Sequence, residues 1–128
     1  MKNGQNSRQI GDRGEDAVCE FLSRHGYDVV TRNFTIRGGE IDVIARKAGI
    51  LAFVEVKTRK YGALSDGESA VTEGKRRRLA AAAEYFLNKY YPSGDYPQCR
   101  FDVAAVTLDN GRVTGLKYYV AAFDGSRR

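Results

Sequence analysis

Apolar residues recur at helical spacing first at Ala17, Val18, Phe21 and Leu22, so the stretch from Asp12 to His25 is predicted as an amphipathic helix, with Asp12 as N-cap and Gly26 as the stop. Ahead of it, Met1 to Arg8 carries no apolar periodicity and reads as a flexible tail, with order beginning near Gly11. Three short stretches rich in Val, Ile, Phe and Tyr follow, Tyr27 to Phe34, Glu40 to Arg46 and Ile50 to Thr58. They are separated by Gly38-Gly39 and by Lys47-Ala48-Gly49, as strands joined by tight turns are. A Gly/Ser/Asp loop from Tyr61 to Ser69 leads to an alanine-rich segment, Thr72 to Tyr90, with Leu79, Ala82, Ala83 and Phe86 on one face and Pro92-Ser93-Gly94 behind it. Phe101 to Leu108 and Val113 to Val120 flank Asn110-Gly111, the strongest hairpin signal in the chain.

The order helix, three strands, helix, two strands calls for an α/β fold in which helices cover a mixed central sheet. Ile50 to Val56 is nearly all apolar on both faces and suits a central strand. One domain over residues 11–124 is expected, with short tails at 1–10 and 125–128. At 128 residues, 42% hydrophobic, the chain can build a core without staples. No apolar run approaches the roughly 18 residues of a membrane span, and the amino terminus is polar. Cys19 and Cys99 show neither disulfide nor zinc spacing, which makes the reducing cytoplasm the default compartment. With a single histidine, His25, carboxylates and lysines must carry any chemistry.

The net charge of +5 favours a polyanionic partner, and the cations concentrate in the middle third: Arg46, Lys47, Lys57, Arg59 and Lys60, then Lys75, Arg76, Arg77 and Arg78. A run of this kind is either a solvated helix face or a phosphate-binding one. In favour of the second, Lys75 stands in the first turn of its helix, where the dipole opposes a cation.

The central strand holds the anomaly. Leu51, Phe53, Glu55 and Lys57 share a face by alternation, so an acid and a base enter a face that begins apolar. If Arg46 faces Gly49 across a Lys47-Ala48 turn, Asp42 lies opposite Phe53 and Glu40 opposite Glu55, all on that face. Asp42 then sits diagonally from Glu55, at roughly 7–8 Å. Carboxylates so placed repel unless a proton or a cation intervenes, and Mg²⁺ is a fitting ion for hard oxygen ligands. Glu15 shares a helical stripe with Val18 and Leu22; it either points with them to the sheet or serves as a first-turn acid. Lys75 is in line with Leu79, Ala82 and Phe86 in the same way.

Gly39-Glu40-Ile41-Asp42-Val43-Ile44-Ala45 followed by Phe53-Val54-Glu55-Val56-Lys57-Thr58-Arg59 resembles the D…ExK core of the PD-(D/E)xK nuclease superfamily. Most closely it resembles the YraN-like family of small predicted endonucleases, distantly similar to archaeal Holliday-junction resolvases. The likeness extends from Gly14-Glu15 through Arg32-Asn33 and the Lys75 helix to Arg100-Phe101-Asp102-Val103, with Ile41 standing where the superfamily has its proline. The resemblance implies a restriction-endonuclease-like fold and hydrolysis of DNA phosphodiesters with Mg²⁺ or Mn²⁺. It also implies Asp42 and Glu55 as metal ligands, joined by the Val56 carbonyl and by Glu15, with Lys57 beside the scissile phosphate. Glu40 is a candidate base, and Arg59, Lys75 and Arg76 to Arg78 are candidate contacts to DNA phosphates. Asp102 fits a structural hydrogen bond or ion pair better than a catalytic role. The likeness to resolvases raises branched DNA and a homodimer as expectations, with single strands, flaps and nicked duplex as open substrates; the alternative function is a nucleic-acid-binding module without turnover.

Overall fold

A computed structural model of the chain describes residues 7–62 and 72–123. Two helices and five strands follow in the order α1 (Ser7–Arg24), β1 (Asp28–Ile36), β2 (Gly39–Lys47), β3 (Ile50–Lys60), α2 (Glu73–Tyr90), β4 (Gln98–Asp109) and β5 (Arg112–Phe123). The strands form one sheet in chain order, antiparallel except for β3 and β4, which run parallel because α2 carries the chain back between them. β3 is the central strand, as its two apolar faces require.

Each helix covers one face. Val18 and Leu22 of α1 pack on Val43, Ala45, Ala52, Val54, Ala104 and Val106, while Leu79, Ala82, Ala83 and Phe86 of α2 pack on Ile41, Ile44, Leu51, Phe53 and Val103. The mixed α/β architecture is therefore the predicted one. No helix among the described residues is long and apolar enough to cross a membrane. The half-buried Cys19 and Cys99 join opposite layers.

The helix ends follow local chemistry. Tyr27 N–H bonds to the Leu22 carbonyl and Gly26 N–H to that of Ser23, with Gly26 at φ 88°, a Schellman motif that ends α1. Thr72 caps α2 by accepting from the Lys75 N–H at 3.2 Å. At its other end α1 departs from expectation: it begins at Ser7, so part of the stretch read as a tail is helical and Asp12 is an interior residue rather than a cap. The remaining tail residues, 1–6 and 125–128, and most of the Tyr61–Ser69 loop lie outside the described residues.

The β2–β3 turn also differs from expectation. Ala48 (φ 48°) and Gly49 (φ 88°) both adopt positive φ, a type I′ turn, and Lys47 pairs with Ile50. The register thus moves by two residues from the expected one. Because side chains alternate with period two, each residue of the paired stretch keeps its face but its partner changes: Phe53 faces Ile44 instead of Asp42. Beyond Val43 the alternation of β2 breaks, since Ile41 joins Ile44 under α2.

Two glycines set the helices close to the sheet. A Cβ on Gly14 would lie 2.1 Å from the Thr58 hydroxyl, and one on Gly39 would lie 2.4 Å from the Arg78 carbonyl of α2. Without side chains at these points, α1 and α2 rest directly on β3 and β2.

Candidate active site

Regular pairing between β2 and β3 stops at Val43 and Val54, and the next residues, Asp42 and Glu55, stand where the two strands part. There the Asp42 carboxylate replaces the ladder: its Oδ2 accepts the Val56 N–H at 2.7 Å. Asp42 is also within hydrogen-bonding reach of Glu55. Glu55 is 4% exposed, on the face that a few residues earlier is filled by Leu51 and Phe53. Lys75 reaches it from the first turn of α2, with Nζ 2.6 Å from Oε2. The close seat of α2 on Gly39 brings that turn down to the strand.

Glu15 approaches from α1, the turn that Gly14 lets down onto Thr58, and is 9% exposed. Of its two sequence readings, the inward one holds. Arg32 on β1 steadies it, 3.4 Å from Glu15 and 2.8 Å from Asp16.

Burial and the neighbouring Glu55 carboxylate push the Asp42 pKa up to about 7, against the Val56 N–H, which favours the charged form. The Lys75 ammonium is held above its usual value: Glu55 beside it outweighs the opposing effect of burial. Three carboxylates, one of them poised to keep its proton near neutrality, therefore converge with one ammonium. Among the described residues, no three His, Cys, Asp or Glu side chains stand close enough together to hold a metal ion. The donor set available to a cation is the Asp42–Glu55 pair, with Glu15 turned to Arg32. Hard carboxylate oxygens under mutual repulsion do fit Mg²⁺ or Mn²⁺, which often uses only one or two protein carboxylates.

This electrostatic arrangement has a measurable sign. A carboxyl whose pKa is higher folded than unfolded stabilises the native state most in acid and loses that contribution as pH rises through the folded value. In metal-free buffer, stability should fall by about 2 kcal/mol between pH 5 and 8, and Asp42→Asn should flatten the profile. Urea midpoints across that range provide the measurement; equal slopes in both proteins would contradict the assignment.

The other candidates are less concentrated. Lys57 shares the Glu55 face and is half-buried. Val56 meets the carboxylates through its N–H. Glu40, expected opposite Glu55, instead pairs with Thr35 of β1 and lies at the exposed rim, 3.8 Å from Arg78. The strands have already separated at that point, so Glu40 has no cross-strand partner on β3. The basic run fans around α2: Arg76 lies over the Phe123 ring, Arg77 pairs with Glu73 at 3.4 Å, and Arg78 turns to Glu40. Arg59 lines a separate groove with Lys60 and Lys117.

Sequence reasoning quoted Arg32 only within a resemblance and missed its hold on Glu15; a cation on an edge strand gives no local signal of a partner on a helix. It also did not single out Lys117, which lines the same groove as Arg59. Asp102 is structural, as expected: fully buried, it accepts from Arg100, from the Tyr118 hydroxyl at 2.6 Å and from the Ala121 N–H at 2.8 Å.

The chain is 46% identical over 100 residues to a UPF0102 protein of Symbiobacterium thermophilum, covering 78% of this chain and 83% of that one. Over 120 residues it is 38% identical to a UPF0102 protein of Pelobacter propionicus, covering 92% and 84%. It is 36% identical over 124 residues to one of Trichlorobacter lovleyi, covering 94% of each. The family pattern described as "Uncharacterised protein family UPF0102" matches residues 14–106, a span that begins at the glycine beneath α1 and takes in Glu15, Asp42, Glu55, Lys57, Lys75 and Asp102. By this match and these identities, the chain belongs to the UPF0102 family.

Proposed function

We propose that this protein is a metal-dependent endonuclease that hydrolyses phosphodiester bonds in DNA. The observation that carries the reading is the meeting of Asp42 and Glu55 where β2 and β3 part, with Lys57 next on the same face. Two carboxylates in a poorly solvated cleft are costly to a fold unless they serve a cation. Asp42 and Glu55 would hold Mg²⁺ or Mn²⁺, with the Val56 carbonyl as a further oxygen and Glu15, held by Arg32, contributing through water. Such an ion, when bound, supplies Lewis-acid polarisation and offsets charge on the phosphoryl oxygens.

The chain's own groups do the rest. The Val56 N–H fixes the rotamer of Asp42, so the carboxylate is oriented before any ligand arrives. Lys57 places an ammonium beside the carboxylates, where it orients water and opposes the negative charge that grows on a phosphate under attack. Lys75, half-exposed and bonded to Glu55, is the internal counter-ion of the unliganded cleft and can turn to a phosphate when a divalent ion takes its place. Glu40 stands at the rim and orients Arg78.

The test is cleavage of labelled duplex, single strand, flap and four-way junction with Mg²⁺ and with Mn²⁺. Glu55→Gln and Lys57→Ala should each lower the rate about a hundredfold or more while leaving DNA affinity nearly unchanged. Binding without cleavage on every substrate would favour a non-catalytic DNA-binding module. Equal cleavage by both variants would end the nuclease reading.

A further inference from the structure

The face of the sheet under α2 changes character along its length. Leu51, Phe53, Phe101, Val103, Tyr119 and Phe123 form the apolar part beneath the helix. Glu55 marks the boundary, paired with Val103. Beyond it, alternation and register set two further rows on the same face: Lys57, Ala105 and Lys117, then Arg59, Thr107 and Gly115. The rows follow at about 7 Å intervals, two residues of strand each.

The first row is cationic at both sides and the second at its β3 side, and both are small in the middle. Ala105, Thr107 and Gly115 are floor residues of a groove of about 410 Å³, whose lining also includes Arg59, Lys60 and Lys117. Even a Cβ on Gly115 would meet Thr107 only at 3.8 Å, so the floor is low and open. Among the described residues, no carboxylate lines the groove. A trough of this chemistry suits an extended polyanion of repeating charge, and its charge is opposite to that of the Asp42–Glu55 cleft beside it.

We infer that the groove between β3, β4 and β5 seats the sugar-phosphate backbone of one DNA strand as it leaves the candidate cleft, with Arg59 and Lys117 contacting its phosphates. The inference rests on the nuclease reading for the identity of the polyanion. It moves the main DNA contact away from the conspicuous Arg76–Arg78 run. Those three side chains are spread around a helix, whereas the groove is one continuous surface.

The experiment uses Arg59→Gln/Lys117→Gln, with Lys89→Gln at the far end of α2 as control. Binding of a fluorescein-labelled 20-nucleotide single strand and of its duplex is measured by anisotropy across a salt series in EDTA, with thermal melting as a check on folding. The double variant should bind the single strand about tenfold more weakly near 100 mM salt. Its log–log salt slope should be shallower by roughly 1.4, two contacts at about 0.7 each. The control should match the unmutated protein. An unchanged affinity and slope in the double variant overturns the groove, even where Glu55→Gln still abolishes cleavage. Weakened binding by a protein that cuts none of the substrates supports the groove while the nuclease reading falls. No DNA binding by the unmutated protein overturns both.

Discussion

Asp102→Ala should unfold this protein more readily than any other single truncation of a polar side chain, at a cost of about 3–5 kcal/mol. Asp102 is fully buried, and four donor atoms converge on it: two nitrogens of Arg100, the Tyr118 hydroxyl and the Ala121 N–H. Arg100 in turn bonds the Tyr27 hydroxyl at the end of α1, so the cluster ties β4 to β5 and to the start of β1. The β4–β5 register shifts at this point, between Phe101 and Val103, and the carboxylate supplies the acceptor that the broken ladder withholds from Ala121. Removing it leaves a guanidinium only 17% exposed without its counter-charge, and a buried hydroxyl and amide without acceptors. The electrostatics agree: the Asp102 hydrogen bonds hold Arg100 protonated beyond its ordinary range, and burial followed by Asp102 pushes the Tyr118 phenol upward. For a domain of this size the melting temperature should drop by roughly 10–20 °C. Arg100→Met in the same chain should recover part of the loss, because the orphaned charge is gone. A drop of only a degree or two would show that the cluster is dispensable.

Gly39→Ala should cost about 2–3 kcal/mol and, unlike Asp102→Ala, should also disturb the candidate cleft. The added Cβ would lie 2.4 Å from the Arg78 carbonyl, 3.1 Å from the Ala82 nitrogen and 3.3 Å from the Ala82 Cβ. Backbone atoms within a helix cannot swing aside as a long side chain can, so α2 as a whole must lift. The apolar contacts of Leu79, Ala82 and Phe86 loosen, and Lys75, one turn before Arg78, is drawn away from Glu55. Denaturant midpoints measure the first effect. The second is read from the ¹⁵N chemical shift of the Lys75 ammonium, which should move toward that of a solvated lysine in Gly39→Ala and stay in place in the control Gly38→Ala, where a Cβ meets nothing within 4 Å. Because Gly38 has φ 91°, that control carries backbone strain of its own, but no displacement of α2. An unmoved lysine signal in Gly39→Ala would show that the glycine does not set the position of the helix.

Alternation carried the sequence reading far. Glu55 and Lys57 stand out because charges follow Leu51 and Phe53 at period two, and a two-residue error in the β2–β3 register could not move them to the other face. The error itself came from the turn. Lys47-Ala48 and Ala48-Gly49 are both two-residue options, and an alanine at positive φ is the exception that local preference argues against. Glu40 was misplaced for a different reason: alternation assumes that pairing continues, whereas a side chain of β2 takes over the ladder at Val56. α1 starts before any capping signal, so its first turn was missed. The placing of Lys117 beside Arg59 was beyond reach, since only the parallel β3–β4 pairing joins their strands around one groove, and no local pattern announces which strands lie side by side.

That parallel pairing also governs the order in which the molecule can assemble. Asp42 and Val56 are 14 residues apart on one hairpin, and Lys75 and Glu55 are 20 apart, so the cleft forms from near neighbours in the chain. The β3–β4 ladder closes only across the whole of α2, and such non-local contacts form late because loop entropy must be overcome first. A chain leaving the ribosome therefore exposes β1, β2 and β3 before β4 exists. During that interval the apolar Leu51–Val54 segment presents an open strand edge, the surface most prone to pair with another copy. The strand that holds Glu55 is thus the segment whose folding most depends on prompt synthesis of the chain's final third.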